Sequence, residues 1–366
     1  MDITCTHDKI QSALEYAERV ISRNLTLPIL GNILLRVEKK ELHISATNLE
    51  IGIVASIPCQ IKASGSLTVP GKIFYGIVNN LEGDSIHLTS DVSHTLYIES
   101  GAFSGEIKGH DAADFPIIPT VAQEALFGVS AEELSRSISQ IISFTSVSET
   151  RPELTGVFFS RERDAKEIDI VAADGFRLAR RKLFPSAAKG SAASFILPQR
   201  TAGELARLGS LGGIVDVALE QGQVEFRFEQ FRVVSRLIEG AYPDYQALVP
   251  TSFNTECVMS RDELSKNIRL VSLLSSRIND IQLSVNNSKL TLSSRDEDTG
   301  ESTITMDIEH TGEPLTITFN WRYLLEGVQN VDAKRVQCKF IDNTKAGLIR
   351  SDKDANYIYV VMPLRV

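Results

Sequence analysis

The feature that most restricts this chain is a unit that recurs three times. Three stretches put a bulky residue before a proline and apolar residues soon after it: "ADFPIIP" at 113–119, "AYPDYQALVP" at 241–250 and "VVMPLRV" at 360–366. Their prolines, Pro116, Pro243 and Pro363, are 127 and 120 residues apart, close to a third of the 366-residue length. Solenoid repeats run to roughly 20–50 residues, so units of this size are whole domains. The expected spans are 1–121, 122–250 and 251–366.

The interiors of the thirds agree. Each opens with a short apolar strand, a polar cap and an amphipathic helix. In the first, Thr6 or His7 precedes Asp8 to Ile21, with Ile10, Ala13, Leu14, Ala17 and Ile21 on one face. In the second, Ser130 precedes a helix with Leu134, Ile138 and Ile141 aligned; in the third, Ser260 precedes one with Leu264, Ile268 and Val271. Glu133 and Glu263 follow those serines by three residues, the capping-box spacing. A shorter helix follows a strand in each third, started by Pro70, Pro198 and Asn320. The predicted helices span 7–23, 70–80, 130–142, 198–208, 260–277 and 320–330. Elsewhere apolar residues alternate with period two, and Asp174-Gly175 and Asn286 to Lys289 mark hairpin tips. The fold class is therefore α+β: three tandem similar domains of two helices and about eight strands each.

Few chemical motifs accompany this frame. The six histidines fall in no pattern with Ser, Cys or Asp that would make a nucleophile and base. No GxxxxGK[ST] loop and no GxGxxG after a strand is present, so no nucleotide cradle is expected. Cys5, Cys59, Cys257 and Cys338 form no CxxC pair and read as reduced thiols. No window approaches the run of about 18 apolar residues of a membrane helix, and the N-terminus does not read as a signal peptide. These point to a cytoplasmic protein with no membrane partner, no cofactor and no metal. The acidic stretches 295–301 and 351–356 could attract a hard cation, but neither completes an EF-hand loop. A hydrolase reading would have to rest on Asp296 and Asp298.

Charge is unevenly spread. The formal net charge is −9, which argues against simple adhesion to nucleic acid. Yet the six predicted helices carry 12 Lys and Arg against 9 Asp and Glu, while the rest carries 26 against 38. Equivalent helices from all three units could line one surface facing an anionic partner.

Four motifs, "TLPILGNILL" (26–35), "AADGFRLAR" (172–180), "AYPDYQALVP" (241–250) and "YVVMPLRV" (359–366), resemble the bacterial sliding clamps, the beta subunits of DNA polymerase III. The resemblance covers the whole chain in order. It implies a non-enzymatic homodimer, head to tail, closed as a six-domain ring with the helices lining the hole. The ring would encircle duplex DNA without sequence preference and tether the replicative DNA polymerase, the clamp loader and other clamp-binding-motif proteins. A domain of this length is about 35 Å across, and six in a circle leave a hole of about 30 Å, wide enough for a duplex of about 20 Å. The alternative is a non-ring scaffold of repeats that only binds peptides.

Carried over position by position, the resemblance implies a partner-peptide cleft of Leu154, Gly175, Phe176, Arg177, Leu178, Pro243, Leu248, Val360, Val361, Met362, Pro363, Leu364 and Arg365. It implies DNA-facing Arg23, Arg151 and Arg200, and a dimer seam joining the edge strand near Ile107 and Lys108 to the third domain near Leu274. Three positions depart from the family: Phe176 stands where some members have histidine, Ala247 where some have arginine, and Asn24 where arginine is frequent.

Overall fold

A computed structural model of the chain describes residues 1–21, 26–188 and 191–365. Six α-helices are present among them: α1 (His7–Val20), α2 (Gly71–Asn79), α3 (Ala131–Ile141), α4 (Gln199–Arg207), α5 (Arg261–Val271) and α6 (Trp321–Gln329). Two caps follow the sequence, whereas Thr6 stands at the N-cap of α1 without a side-chain bond to the helix. Ser260 Oγ accepts the Glu263 backbone N–H at 3.3 Å, and Asn320 Oδ1 accepts that of Arg322 at 3.0 Å. Pro70 and Pro198 stand at the N-caps of α2 and α4, just outside the helical ladder, where a missing N–H costs nothing. α1 and α5 end earlier than predicted. Ile21 is already extended, and Ser272–Leu274 tightens into a 3-10 turn that satisfies the last carbonyls of α5. There are nine described strands in each third, where the pattern predicts about eight.

The chain gathers into two compact units, one of residues 1–130 and 213–237, the other of 131–212 and 238–366. The first unit holds a five-stranded antiparallel sheet in the order 60–63, 2–6, 85–90, 95–100, 103–108. Eight further strands of this unit run 127–130, 214–220, 223–227, 231–236, 51–58, 41–47, 32–38, 65–70. α1 packs on α2 and on strands 41–47 and 51–58, burying Ile10, Ala13, Leu14 and Ala17. Each fully buried Ile or Leu contributes roughly 1.5–3 kcal/mol.

The second unit holds a nine-stranded sheet in the order 193–198, 156–161, 168–173, 177–183, 357–361, 347–351, 335–340, 255–260, 309–312, and a four-stranded sheet, 300–307, 289–296, 280–286, 315–320. α3 packs on α4 and α5 on α6. An Arg136–Asp332 ion pair and a Gln140 Nε2 hydrogen bond to the Asn330 carbonyl (3.1 Å) tie α3 to the end of α6.

The backbone fixes how the repeats correspond. Strand 51–58 pairs with 231–236 so that Ile51 faces Ser235, and strand 177–183 pairs with 357–361 so that Arg177 faces Val361. One step further, the Arg236 N–H donates to the Glu50 carbonyl and the Met362 N–H to the Phe176 carbonyl, both at 2.9 Å. Two residues on, Ile238 donates to Ile196 at 3.0 Å and Leu364 to Thr318 at 2.8 Å; in the first third, His110 donates to Thr68 at 2.9 Å. Thr68, Ile196 and Thr318 each lie two residues before the residue that caps a short helix. His110, Ile238 and Leu364 are therefore equivalent.

This corrects the alignment of prolines. Pro363 matches Leu237 and Gly109, whereas Pro116 and Pro243 lie several residues beyond that point. Proline suits both the end of a strand and an extended linker, since neither needs its N–H in a ladder. The shared proline pattern thus joined positions that are not equivalent.

Candidate functional site

The hairpin tip at 174–177 is closed by both backbone and side-chain hydrogen bonds. The Asp174 N–H donates to the Arg177 carbonyl at 3.2 Å, leaving Gly175 and Phe176 as a two-residue tip. Gly175 has φ +93°, a conformation that favours glycine. Asp174 Oδ1 accepts the N–H groups of Phe176 (3.0 Å) and Arg177 (3.1 Å), which holds the loop closed. Phe176 is pushed outward and is 62% exposed. Beside it the chain leaves strand 357–361 through Met362, 46% exposed, and Pro363 and Leu364, both half-buried.

Beneath this rim lies an apolar floor. Leu154, Leu178 and Val360 are buried in one cluster with Val171, Ala173 and Tyr245, and Phe158, Tyr242, Val249 and Ala346 pack against it. The Phe158 and Tyr242 rings stack at 4.5 Å between centroids. The Tyr245 hydroxyl donates to Asp169 Oδ2 at 2.8 Å, and burial pushes that phenol up to about 12. Among the expected cleft residues, then, Leu154, Leu178 and Val360 form the floor. Phe176, Leu248 and Met362 form an exposed apolar rim, Gly175 and Arg365 are open to solvent, and Pro243 is half-buried. Val361 is one residue from Val360 on a strand, points to the other face and is core.

Arg177 is committed within the fold. Its Nε donates to Asp174 Oδ2 at 2.8 Å, and it pairs with Glu326 of α6. Its guanidinium lies 4.3 Å from the Tyr323 ring centroid. Burial by itself would lower its pKa, but the two carboxylates outweigh that and hold it above the usual arginine value. Arg177 ties the hairpin to α6 and thereby places Phe176 against Tyr323, 6.3 Å between ring centroids. Tyr323, Glu326 and Ala346 are not named in the sequence reading, and Tyr242 and Tyr245, within the 241–250 motif, are not placed in the cleft. Tyr323 and Glu326 are three apart on α6 and share a face, but their partner lies in another third.

The expected DNA-facing residues fare differently. Arg151 is exposed and paired with Glu153 at 3.0 Å. Arg200, on α4, is exposed and makes no ion pair among the described residues. Arg23 and Asn24 lie outside the described residues. A patch the sequence reading did not name lies on α5, where Arg261, paired with Asp262 at 2.9 Å, Lys266 and Arg269 line a cavity of about 510 Å³ with Ser265 and, from α6, Gln329.

At the expected seam, strand 103–108 is an edge strand. The Ile107 side chain is buried in its own sheet, so that edge can offer its backbone and Lys108 but not Ile107. Leu274 is half-buried, while Leu270 and Leu273 stand out, Leu273 at 77% exposure. Leu270 is on the last turn of α5, whereas Leu273 and Leu274 are on the 3-10 turn that replaces the longer α-helix predicted, which redirects these two side chains.

The acidic stretches are turns. Asp296 Oδ1 accepts from the Asp298 and Thr299 N–H groups and the Thr299 hydroxyl, which lower its pKa. Among the described residues no group of three His, Cys, Asp or Glu is placed to hold a metal.

Repeated α+β units with an apolar groove between a rigid hairpin and a docked tail define a protein-binding scaffold. The chain belongs to the bacterial DNA polymerase III beta-subunit family, the beta sliding clamps, which are non-catalytic processivity factors. The family's N-terminal, central and C-terminal domains match residues 1–119, 128–244 and 246–365. The chain is 30% identical to the beta sliding clamps of Caulobacter vibrioides (over 373 residues) and Synechococcus elongatus (over 378), covering 100% of both proteins in each case. Among solved structures, the DNA polymerase sliding clamp of Bacillus subtilis superposes with a TM-score of 0.94 at 25% identity, covering 100% of this chain and 99% of that one. A Pseudomonas aeruginosa clamp bound to griselimycin gives 0.93 at 26%, covering 100% of both.

Proposed function

We propose that the chain acts as a processivity clamp: a head-to-tail homodimer, closed as a ring around duplex DNA in the cytoplasm, that tethers polymerases and other partners by short peptides. The three domains of each protomer would span 1–121, 122–250 and 251–366. The observation that carries the partner role is the groove itself. An apolar floor at Leu154, Leu178 and Val360 lies under exposed Phe176, Leu248 and Met362 on a tip that Asp174 and Arg177 hold in place. Apolar anchors over a preformed pocket suit a short extended peptide. A related clamp from C. crescentus, 30% identical with a TM-score of 0.91 over 100% of both chains, carries a polyethylene glycol at its proposed beta-motif tethering region. Phe176, 62% exposed, adds a large apolar face to this rim.

The DNA-facing role is supported by exposed Arg151 and Arg200 and extended by Lys266 and Arg269 of α5. A few weakly held phosphate contacts permit sliding, because they carry no sequence information. The dimer seam would pair the backbone edge at 103–108, Lys108 included, with the partner copy's third domain, where Leu270 and Leu273 supply the apolar surface in place of Leu274. Loading on a closed circular duplex tests the whole reading. The protein remains bound to the circle and is released when the duplex is cut; equal retention on both would refute the ring.

A further inference from the structure

The four cysteines fall into two pairs on neighbouring strands. In the second unit Cys257 faces Cys338. In the first unit strand 2–6 pairs with strand 60–63 so that Ile3 faces Ile61 and Thr4 faces Gln60, and one step further Cys5 meets Cys59. Facing residues on antiparallel strands come in two kinds. A hydrogen-bonded pair holds its Cα atoms about 5.5 Å apart, and a non-hydrogen-bonded pair about 4.5 Å, with the side chains closer.

Backbone bonds decide which kind each pair is. The Ser90 N–H donates to the Met1 carbonyl (2.9 Å) and the His7 N–H to that of Asp84 (3.0 Å), so by alternation Cys5 bonds toward Ile86 on strand 85–90. Its backbone is turned away from Cys59. Cys59 sends its own N–H to the Lys40 carbonyl (3.5 Å), beside strand 41–47 and not toward strand 2–6. Cys5 and Cys59 are therefore a non-hydrogen-bonded pair, and their thiols interact through a hydrogen bond from Cys5 to Cys59. The Arg261 N–H donates to the Lys334 carbonyl at 3.0 Å, which by the same alternation makes Cys257 and Cys338 a hydrogen-bonded pair, with side chains farther apart. A disulfide needs Cβ atoms about 3.5–4.5 Å apart. Only the first pair meets that without backbone movement.

Access and ionisation separate the pairs in the same direction. Cys257 and Cys338 are both buried, whereas Cys59 is partly exposed between exposed Pro58 and Gln60. Burial pushes the Cys5 thiol up to about 12, and the charge of an ionised Cys59 beside it adds to the rise, so Cys59 ionises first. Burial raises Cys59 too, but the Cys5 S–H and the Leu42 N–H donate to its sulfur and oppose that.

We propose that Cys59 and Cys5 are an oxidation site, at which a hydroperoxide converts the two thiols to an intrachain disulfide. The Cys59 thiolate attacks one peroxide oxygen, the O–O bond breaks and hydroxide leaves, which gives a sulfenic acid. The Cys5 sulfur then attacks that of Cys59. The S–S bond forms, the S–O bond breaks, and the departing hydroxide takes the Cys5 proton as water. Two electrons pass from the thiols to the peroxide. The Cα separation of such a pair is at the short end for a disulfide, and strained disulfides are readily reduced, so the link is reversible by thiols. It would staple strand 60–63, an edge strand exposed along most of its length, whose pairing with strand 2–6 is irregular between Asp2 and Ile3.

The test treats the full-length protein with hydrogen peroxide, blocks the remaining thiols and maps the peptides by mass spectrometry. The expected product has lost two free thiols per chain, carries a Cys5–Cys59 link that dithiothreitol reverses, and keeps Cys257 and Cys338 reduced. Its rate rises as the pH approaches the ordinary thiol value of about 8.5, because the thiolate is the attacking form. Amide exchange across 60–63 slows on oxidation and recovers on reduction. Cys5→Ser leaves the sulfenic acid without a partner, so Cys59 proceeds to the sulfinic acid, and Cys59→Ser leaves Cys5 unmodified. Four free thiols after treatment of the parent protein would overturn the proposal. So would a Cys257–Cys338 link formed as fast as the Cys5–Cys59 link, or a sulfinic acid on Cys59 beside a free Cys5.

Discussion

The Met362 N–H donates to the Phe176 carbonyl at 2.9 Å, and this one bond sets the tail of the chain beside the tip of a hairpin from the preceding repeat. The two residues present the most exposed apolar surface of the groove apart from Leu248.

Deleting Met362 to Val366 removes the Met362 and Leu364 backbone bonds and half of the rim. The expected outcome is an intact dimer by light scattering, with partner-peptide affinity reduced at least about tenfold, or about 1.4 kcal/mol, by calorimetry. A monomeric product would show instead that the tail is structural.

Arg177→Ala strips Asp174 and Glu326 of their shared cation and removes the contact with the Tyr323 ring. Breaking a largely buried pair from one side costs about 3–5 kcal/mol. Urea unfolding is expected to show a loss near the lower end, since Glu326 is partly exposed, together with weaker peptide binding because Phe176 is no longer held.

Glu225 is almost wholly buried and accepts from Arg227 (2.6 Å), Arg232 (3.1 Å) and the Val121 N–H (3.0 Å). Burial would raise its pKa, but those donors more than offset this and hold it below the usual value. The same arginines reach the carbonyls of Pro119, Val121 and Gln123, so the carboxylate organises the linker after the first domain. Glu225→Ala is expected to cost about 3–5 kcal/mol and to speed amide exchange across 119–123, read by hydrogen-exchange mass spectrometry.

His87 lies between Asp2 (2.8 Å) and Glu99 (3.3 Å). The Asp2 hydrogen bond, reinforced by Glu99, raises its pKa, and the same bond lowers that of Asp2. A raised histidine pKa adds stability that is fully present below the ordinary value of about 6.5 and is lost as pH rises through the raised one. Asp2 works in the opposite sense: its contribution is present above the ordinary carboxylate value and is lost as pH falls through the lowered one. Stability is therefore expected to fall as pH rises above about 6.5 in the parent and to stay flatter in His87→Gln, measured by urea unfolding at each pH.

Much of the architecture was legible because it is written in local chemistry. Period-two and period-3.6 patterns placed the strands and helices. Ser260 and Asn320 capped as read, and Asp174-Gly175 announced the hairpin, whose tip is Gly175 and Phe176 with Asp174 closing it from below. The groove was legible only through resemblance. Leu154, Leu178 and Val360 look like any core residues in sequence, and their common floor depends on strand 177–183 pairing with 357–361, more than 170 positions away. Alternation along the edge strand 103–108 does not say which face is covered, and only the structure shows Ile107 buried in its own sheet.

The sequence by itself determined the repeated α+β units, their turns and caps, and the family, since each depends on neighbours a few residues apart or on motifs in order. Only the tertiary structure decided which positions of the repeats are equivalent. It moved Pro363 away from Pro116 and Pro243 and bound Arg177 to α6. Backbone hydrogen bonds between distant strands set that register, and a hydrophobic pattern cannot specify it to the residue.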